Sequence, residues 1–144
     1  MSIIVTDDGF GPDDLETGGA RRLSLDAMRE TNGGGDIALD IPNDVDPNEV
    51  SAYFDRVSAI VIAFPSFADG RGFSLARQLR QAGYTGRLRA SGHVIADQYA
   101  HARRVGFDEV EIGEELAARQ PEAQWRSRAD WRAHDYQKRL QATA

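Results

Sequence analysis

The sequence predicts a single three-layer α/β domain with a mainly parallel sheet of four or five strands. Short β-branched runs alternate with helical periodicity, and the strands start near residues 37, 58, 87 and 109. The predicted strand over residues 58–64 is continuously apolar after Ser58, as expected for a parallel strand covered on both faces. With 144 residues the chain is too short for a closed eight-stranded barrel, which needs about 200. We therefore expect a Rossmann-like or a half-barrel-like sheet.

Residues 1–36 are predicted to form one strand followed by an irregular arm. Ser2–Thr6 is a short β-branched run typical of a strand. Residues 7–36 are acidic and rich in glycine and other turn-forming residues, with a short helix expected over 21–29. We treat this segment as separate from the core domain.

Residues 37–120 are predicted to form the α/β core. Asp46 can cap a helix that has Pro47 in its first turn, and Gly83 and Gly106 stand where helices commonly end. The predicted strands cover 37–41, 58–64, 87–91 and 109–112, and the predicted helices cover 47–57, 73–82, 94–105 and 114–119.

Residues 121–144 are predicted to contain an amphipathic helix over 124–141. Trp125, Ala129, Tyr136 and Leu140 share one face, and most other positions are charged. This face can dock on its own domain, on a second copy in a homodimer, or on a partner protein.

Composition excludes several classes of chemistry. The chain has no cysteine, which rules out thiol nucleophiles, disulfides, Cys-ligated zinc and Cys-bound iron–sulfur clusters. The net charge of −6 argues against nonspecific nucleic-acid binding. No apolar run approaches the length of a transmembrane helix, and the first residues lack a basic signal-peptide region, so we expect a cytoplasmic protein with no membrane contact.

Charge is nevertheless unevenly distributed along the chain. Residues 1–50 hold 12 acids and 3 bases, whereas residues 51–100 hold 3 acids and 6 bases, which are all arginine. The middle of an acidic chain is therefore basic, and a small anion is a reasonable ligand for it. Acidic residues that merely populate exposed loops would give the same distribution.

The loop over 65–74 is a candidate anion site. Parallel sheets bind ligands outside the carboxyl ends of their strands, and this loop leaves such an end and enters a helix. Glycines let the backbone approach a ligand, a hydroxyl and the helix N-terminus offer donors, and a guanidinium matches an oxyanion. The candidate residues are Asp69, Gly70, Arg71, Gly72 and Ser74. Ordinary turn chemistry, with Asp69 as a helix cap, explains the same residues.

The next strand and loop add further candidates. Arg89 lies inside a predicted parallel strand, so it needs an anionic partner, which is either a protein carboxylate such as Asp69 or Asp97 or a bound ligand. Asp97 and Gln98 fall in the first turn of the following helix, where the dipole stabilises an acid. His93 can act as an acid or base, or it is a polar surface residue.

No metal or dinucleotide site is expected from the sequence. His93, Asp97 and His101 have helical spacing, but His93 precedes the predicted helix, so we predict no metal. Gly70-Arg71-Gly72 lacks the third glycine of a dinucleotide fingerprint, because Leu75 stands at that position.

The motifs DGRGFSLAR at 69–77, RASG at 89–92 and DQ at 97–98 resemble a bacterial family of unknown function, domain of unknown function 934. The similarity extends over roughly residues 37–113. Members are commonly described as oxidoreductases or accessory proteins of assimilatory sulfite reduction, because their genes neighbour those of sulfite reductase. Asp69, Arg71, Ser74, Arg89, Asp97 and Gln98 match the family pattern.

This resemblance implies an accessory protein or oxidoreductase of sulfate assimilation and cysteine biosynthesis, with sulfite reductase as a partner and a small oxyanion as a ligand. Redox chemistry would require a flavin, nicotinamide or haem-type group, and the cofactor stays unassigned because the sequence carries no motif for any of them. Whether the chain is an enzyme is left open. The alternative is a non-catalytic scaffold or regulatory protein unrelated to sulfur metabolism.

Overall fold

The computed structural model describes residues 2–131 and contains one mixed sheet of seven strands. The strands lie in the order β2-β1-β7-β6-β5-β4-β3. Strands β3 to β7 are parallel to one another, β1 is antiparallel to β7, and β2 is antiparallel to β1. The strands are β1 (Ser2–Thr6), β2 (Gly9–Pro12), β3 (Arg21–Ser24), β4 (Ile37–Ile41), β5 (Ala59–Phe64), β6 (Arg87–Gly92) and β7 (Glu109–Gly113).

Helices follow the strands in regular alternation. Two short 3-10 turns also occur: Phe54–Arg56 follows the helix Pro47–Ser51, and Ala96–Gln98 precedes the helix Tyr99–Val105. The helices are α1 (Asp14–Thr17), α2 (Leu25–Arg29), α3 (Pro47–Ser51), α4 (Arg71–Gln81), α5 (Tyr99–Val105), α6 (Glu114–Arg119) and α7 (Glu122–Arg126). None of the helices within residues 2–131 has the length and apolar character needed to cross a bilayer.

The five parallel strands lie side by side in their order along the chain. Successive right-handed crossovers in one direction place the connecting helices on the same face of a sheet. The buried residues of α2 to α7 indeed share one core with one face of the strands, including Ile60, Ile62 and Leu88. A Rossmann-like sheet reverses its strand order, so the observed order is that of the half-barrel-like alternative.

The opposite face of the sheet carries a much thinner cover. Within the described residues, Leu15 of α1 packs there against Ala38, Ala59 and Val61 in a small second cluster. Three layers are therefore present, as expected, but within residues 2–131 one outer layer contains six helices and the other only α1. Charged side chains occupy a large part of the rest of this face, because they alternate with the core-facing residues of their strands: Arg22, Arg87, Arg89, Glu109 and Glu111.

The central strand prediction is confirmed. β5 lies inside the sheet and pairs in parallel with β4 on one side and β6 on the other. Ile60 and Ile62 are fully buried against the helices and Val61 is buried on the other face, which explains the continuous apolar run.

The predicted number of strands is wrong, because the sheet has seven. Residues 7–36 were expected to be irregular apart from one short helix, but they contain β2, α1, β3 and α2. The short helix expected over 21–29 begins as strand β3 and becomes helical only at Leu25, after the Ser24 hydroxyl caps α2. Both missed strands are four residues long and join the two edges of the sheet, where pairing is one-sided.

The C-terminal helix also differs from its prediction. α7 starts at Glu122 and ends at Arg126, so residues 127–131 do not continue it. Trp125 is 1% exposed and belongs to the main core, which places this part of the chain on its own domain. Tyr136 and Leu140 of the predicted apolar face lie outside the described residues.

Candidate functional site

The structure brings the two predicted site loops together at the carboxyl edge of the sheet. The loop after β5 and the segment after β6 are adjacent because β5 and β6 pair up to Phe64 and Gly92. The Gln98 side chain donates a hydrogen bond to the Phe67 carbonyl at 3.0 Å. The backbone N–H of His93 donates to the Phe64 carbonyl at 2.9 Å. Gln98 is therefore a residue that ties the two loops together.

Asp69 and Arg71 bind each other at the start of α4. The Arg71 guanidinium donates to both carboxylate oxygens of Asp69, with Nη2 at 2.8 Å from Oδ2, and the Arg71 backbone N–H adds a third hydrogen bond. Asn43 donates to the same carboxylate at 2.9 Å. These hydrogen bonds, from Arg71 first and then Asn43, hold the pKa of Asp69 well below its usual range. The pair fixes the loop and neutralises the charge of Arg71.

A cationic groove opens beside this pair, between α4 and α5. It has a volume of about 230 Å³. Gly70, Ser74 and Arg77 lie four and three residues apart along α4, so they share one helix face. The α4–α5 groove is lined by Gly70, Phe73, Ser74, Arg77, His101 and Val105. This set of lining residues contains no carboxylate.

The charge of Arg77 in the groove is not compensated by a neighbouring side chain in the part of the chain that the structure describes. Within residues 2–131, Arg77 has no ion pair or hydrogen-bonding partner for its guanidinium. α4 carries Arg71, Arg77 and Arg80 and no acidic residue, and its N-terminus adds the positive end of the helix dipole. Arg80 is used structurally, because it donates to the carbonyls of Gly106, Tyr84 and Gly86. Arg77 is therefore the guanidinium available to a ligand here.

The pKa of His101 is affected by the positive charges near this groove. Its ring packs edge-on against Phe73, with centroids 4.7 Å apart. Burial, together with the positive charges of Arg77 and Arg104, lowers the pKa of His101 below its ordinary value. A negative charge placed in the groove would raise the pKa of His101 again.

Gly72, one of the two predicted site glycines, has a packing role, and so has Gly92 of the RASG motif. A Cβ at Gly72 would lie 2.5 Å from the Phe64 ring, so glycine allows α4 to approach β5 closely. Gly92 has a φ of +117°, and a Cβ there would lie 2.7 Å from the Phe64 carbonyl oxygen. Gly70, with an ordinary φ and open space around it, has no such requirement.

Arg89 lies outside the α4–α5 groove. It is fully buried on the face of the sheet opposite the helices. Its guanidinium binds Glu109 through a short contact, and it binds Asp13 at 2.8 Å and Glu111 at 2.9 Å, with Asp14 at 3.2 Å. A protein carboxylate is its partner, which was one of the two expected alternatives, but the N-terminal segment and β7 supply the carboxylates instead of Asp69 or Asp97. All three of its nitrogens are used, so none is left for a ligand.

The remaining predicted residues take separate positions. Asp97 is exposed and forms a short ion pair with Arg128 rather than entering the α4–α5 groove. His93 is exposed and packs edge-on against Phe67. Among residues 2–131, no group of three or more acidic, cysteine or histidine side chains is arranged to hold a metal ion.

Sequence reasoning missed Arg77 and His101. Arg77 closes the DGRGFSLAR motif and follows Ser74 by three residues, a spacing that places both on one helix face. That spacing was a usable signal. His101 carried no comparable signal, because its proximity to Arg77 depends on how α5 packs against α4.

Residues 38–144 match the model of the family described as "Bacterial protein of unknown function (DUF934)", and the chain therefore belongs to that family. The resemblance expected from its motifs is confirmed. No curated protein and no solved structure matches the chain.

Proposed function

We propose that this member of the DUF934 family is an accessory protein of assimilatory sulfite reduction that holds a small oxyanion in its α4–α5 groove. The observation that supports the ligand is the groove itself, where Arg77 has no partner among the described residues and faces a hydroxyl and an imidazole. The sulfur link rests on the family resemblance and on the gene neighbourhood of its members.

The chemistry of the groove favours an oxyanion over other small ligands. A guanidinium donates two parallel hydrogen bonds to a sulfur, phosphorus or carboxylate group, and Ser74 adds a neutral donor. The Asp69 carboxylate already accepts the Arg71 backbone N–H at the start of α4, so the donors that the groove offers are the Arg77 guanidinium and the Ser74 hydroxyl. Both lie on one helix face, three residues apart.

Thermal shift with sulfate, sulfite and phosphate tests the ligand. We expect each anion to stabilise the wild-type protein at millimolar concentration, because a ligand that binds only the folded state raises its stability. Arg77→Gln should lose that stabilisation, and Arg77→Lys should lose much of it because the bidentate geometry is absent. Arg29→Gln is the matched control, since it removes one exposed arginine from α2. No stabilisation of wild type would refute the oxyanion site.

Growth of a deletion strain tests the metabolic role. The strain should grow poorly on sulfate and normally on cysteine as sole sulfur source, and a plasmid copy of the gene should restore growth on sulfate. Normal growth on sulfate would contradict a role in sulfite reduction. A pull-down of the wild-type protein with sulfite reductase examines the partner directly, and its failure would favour the alternative of a scaffold outside sulfur metabolism.

A further inference from the structure

A second small cavity lies at the carboxyl ends of β6 and β7, away from the α4–α5 groove. Its volume is about 210 Å³. We propose that this aromatic pocket binds a planar heteroaromatic ring of nucleobase size. It is lined by Phe67, Gly92, His93, Gly113, Glu115, Leu116 and Arg119.

Phe67 and His93 form an exposed aromatic pair on one wall. Phe67 is 38% exposed and is the large hydrophobic side chain most open to solvent among residues 2–131. Its ring and the His93 imidazole are 4.9 Å apart and nearly perpendicular. The hydrogen bond from Gln98 to the Phe67 carbonyl anchors the loop that carries the ring. This wall therefore presents anchored ring surface to a ligand, as stacking sites do.

The floor of the pocket consists of two glycines at the ends of adjacent strands. Gly92 is required by its positive φ and by the nearby Phe64 carbonyl, as described above. Gly113 is different, because its φ of −80° and ψ of 163° suit any residue. No atom lies within 4 Å of a Cβ built at Gly113. Gly113 is the N-cap residue of α6, a position that accepts glycine, and the missing side chain keeps the floor of the pocket open.

The rim supplies donors that match a heterocycle rather than a hydrocarbon. Arg119 is 64% exposed, and its contact with Glu115 is long, at 3.9 Å. Its planar guanidinium can stack on a ring or donate to ring nitrogens and carbonyls. Because sites that enclose drug-sized ligands measure about 300–1,000 Å³, this pocket holds one ring system and not a complete dinucleotide.

Calorimetric titration with AMP tests the pocket, with ribose 5-phosphate as a control that keeps the phosphate and lacks the base. We expect heat of binding with AMP alone. Phe67→Ala should weaken AMP binding by about 5- to 150-fold, the range for loss of one stacked base, while Phe67→Tyr should retain it.

Gly113→Leu should abolish AMP binding by filling the pocket, without the backbone strain that a substitution of Gly92 would cause. Gly113→Ser is its matched control, since it adds one small side chain at the same position. The melting temperature of each variant verifies that it folds.

Three results would overturn the proposal. The first is no binding of AMP, GMP, CMP or flavin mononucleotide at about 1 mM. The second is AMP binding that survives both Phe67→Ala and Gly113→Leu. The third is AMP binding that Arg77→Gln removes and Phe67→Ala leaves intact, which would assign the nucleotide to the α4–α5 groove. Sulfate stabilisation should be unchanged in Phe67→Ala, so the oxyanion site and the aromatic pocket stand or fall independently.

Discussion

Arg89 is the centre of a buried charge network on the sheet face opposite the helices. Its guanidinium meets carboxylates from the N-terminal segment and from β7, and Arg87 and Arg22 bind further members of the same group. Burying a charge costs several kcal/mol unless it is paired, and here every nitrogen of Arg89 is paired. The network joins residues near the start of the chain to strands near its end.

Replacing Arg89 with methionine should destabilise the fold by about 3–5 kcal/mol, because the buried carboxylates lose their counter-charge. Urea unfolding measures this loss. Arg29→Met is the control: its pair with Asp26 is exposed and should be worth at most about 1 kcal/mol. Equal losses in the two variants would show that the network contributes no more than an exposed ion pair.

His101 should make oxyanion binding dependent on pH. Its pKa lies below the ordinary value, so the free groove holds a neutral imidazole near pH 7. Lowering the pH protonates His101 and adds a positive charge beside Arg77. Sulfate, which stays a dianion, should therefore bind roughly three- to tenfold more tightly as the pH falls through the His101 pKa.

Calorimetry with sulfate between pH 7 and pH 5 measures this dependence. His101→Gln should bind sulfate with an affinity that changes little over the same range, since glutamine does not titrate. A pH dependence that persists in His101→Gln would assign it to another group.

At the scale of elements, the start of α4 depends on one close approach. Gly72 lies against the Phe64 ring, which also packs on Phe73 with centroids 4.9 Å apart. α4 therefore reaches β5 only where no Cβ intervenes, and this contact positions Gly70, Ser74 and Arg77 at the carboxyl edge. The groove follows from the packing of the helix.

Gly72→Ala should cost about 1–3 kcal/mol in unfolding free energy, because the added methyl would lie 2.5 Å from an aromatic ring that is itself buried. Gly70→Ala, two residues earlier, meets open space and should change stability by no more than about 0.5 kcal/mol. Thermal melts of both variants compare the two positions. Similar melting temperatures would mean that Phe64 moves aside without cost.

Element prediction succeeded where a strand is buried on both faces. Apolar runs at residues 37–41 and 59–64 predict strands, and the structure has strands there. β2 and β3 carry the sequences GFGP and RRLS, which have no such run. Each forms a strand because the edge strand beside it has unpaired backbone N–H and C=O groups. The local sequence gives no sign of that edge.

At the scale of the whole molecule, the C-terminal part of the described chain closes the helix layer. The indole of Trp125 packs edge-on against Tyr99, with centroids 6.2 Å apart, and donates to the Gln120 carbonyl. Glu122 accepts a hydrogen bond from the backbone of Phe10 in β2. α7 therefore joins α5 to the N-terminal hairpin.

A chain that ends after Gln120 should melt well below the full chain and keep the same oligomeric state. The loss of Trp125 alone should cost about 3–5 kcal/mol, which Trp125→Ala measures separately. Gln124→Ala, at the exposed neighbouring position, is the control. Light scattering gives the mass, and a smaller assembly after truncation would instead make this segment an oligomer contact.

Much of the candidate site was visible in the sequence as separate parts. The loop over 65–74 and the segment with His93, Asp97 and Gln98 were predicted as parts of the site, and the hydrogen bond from Gln98 to the Phe67 carbonyl joins them. Arg89 was expected in the site but does not lie there. Side chains alternate along β6, and that of Arg89 lies on the face of the sheet opposite α4. The membership of His101 could not be anticipated, since it depends on the packing of two helices.

The sequence by itself determined the alternation of strands and helices, the loops that leave the sheet, and the need of Arg89 for an anionic partner. Each of these depends on a residue and its near neighbours, because periodicity and turn chemistry act over a few residues. Only the tertiary structure decided that the partners of Arg89 are Glu109, Glu111 and, 76 residues away, Asp13. Strand order and register bring such distant positions together, and both are set by the packing of the whole chain.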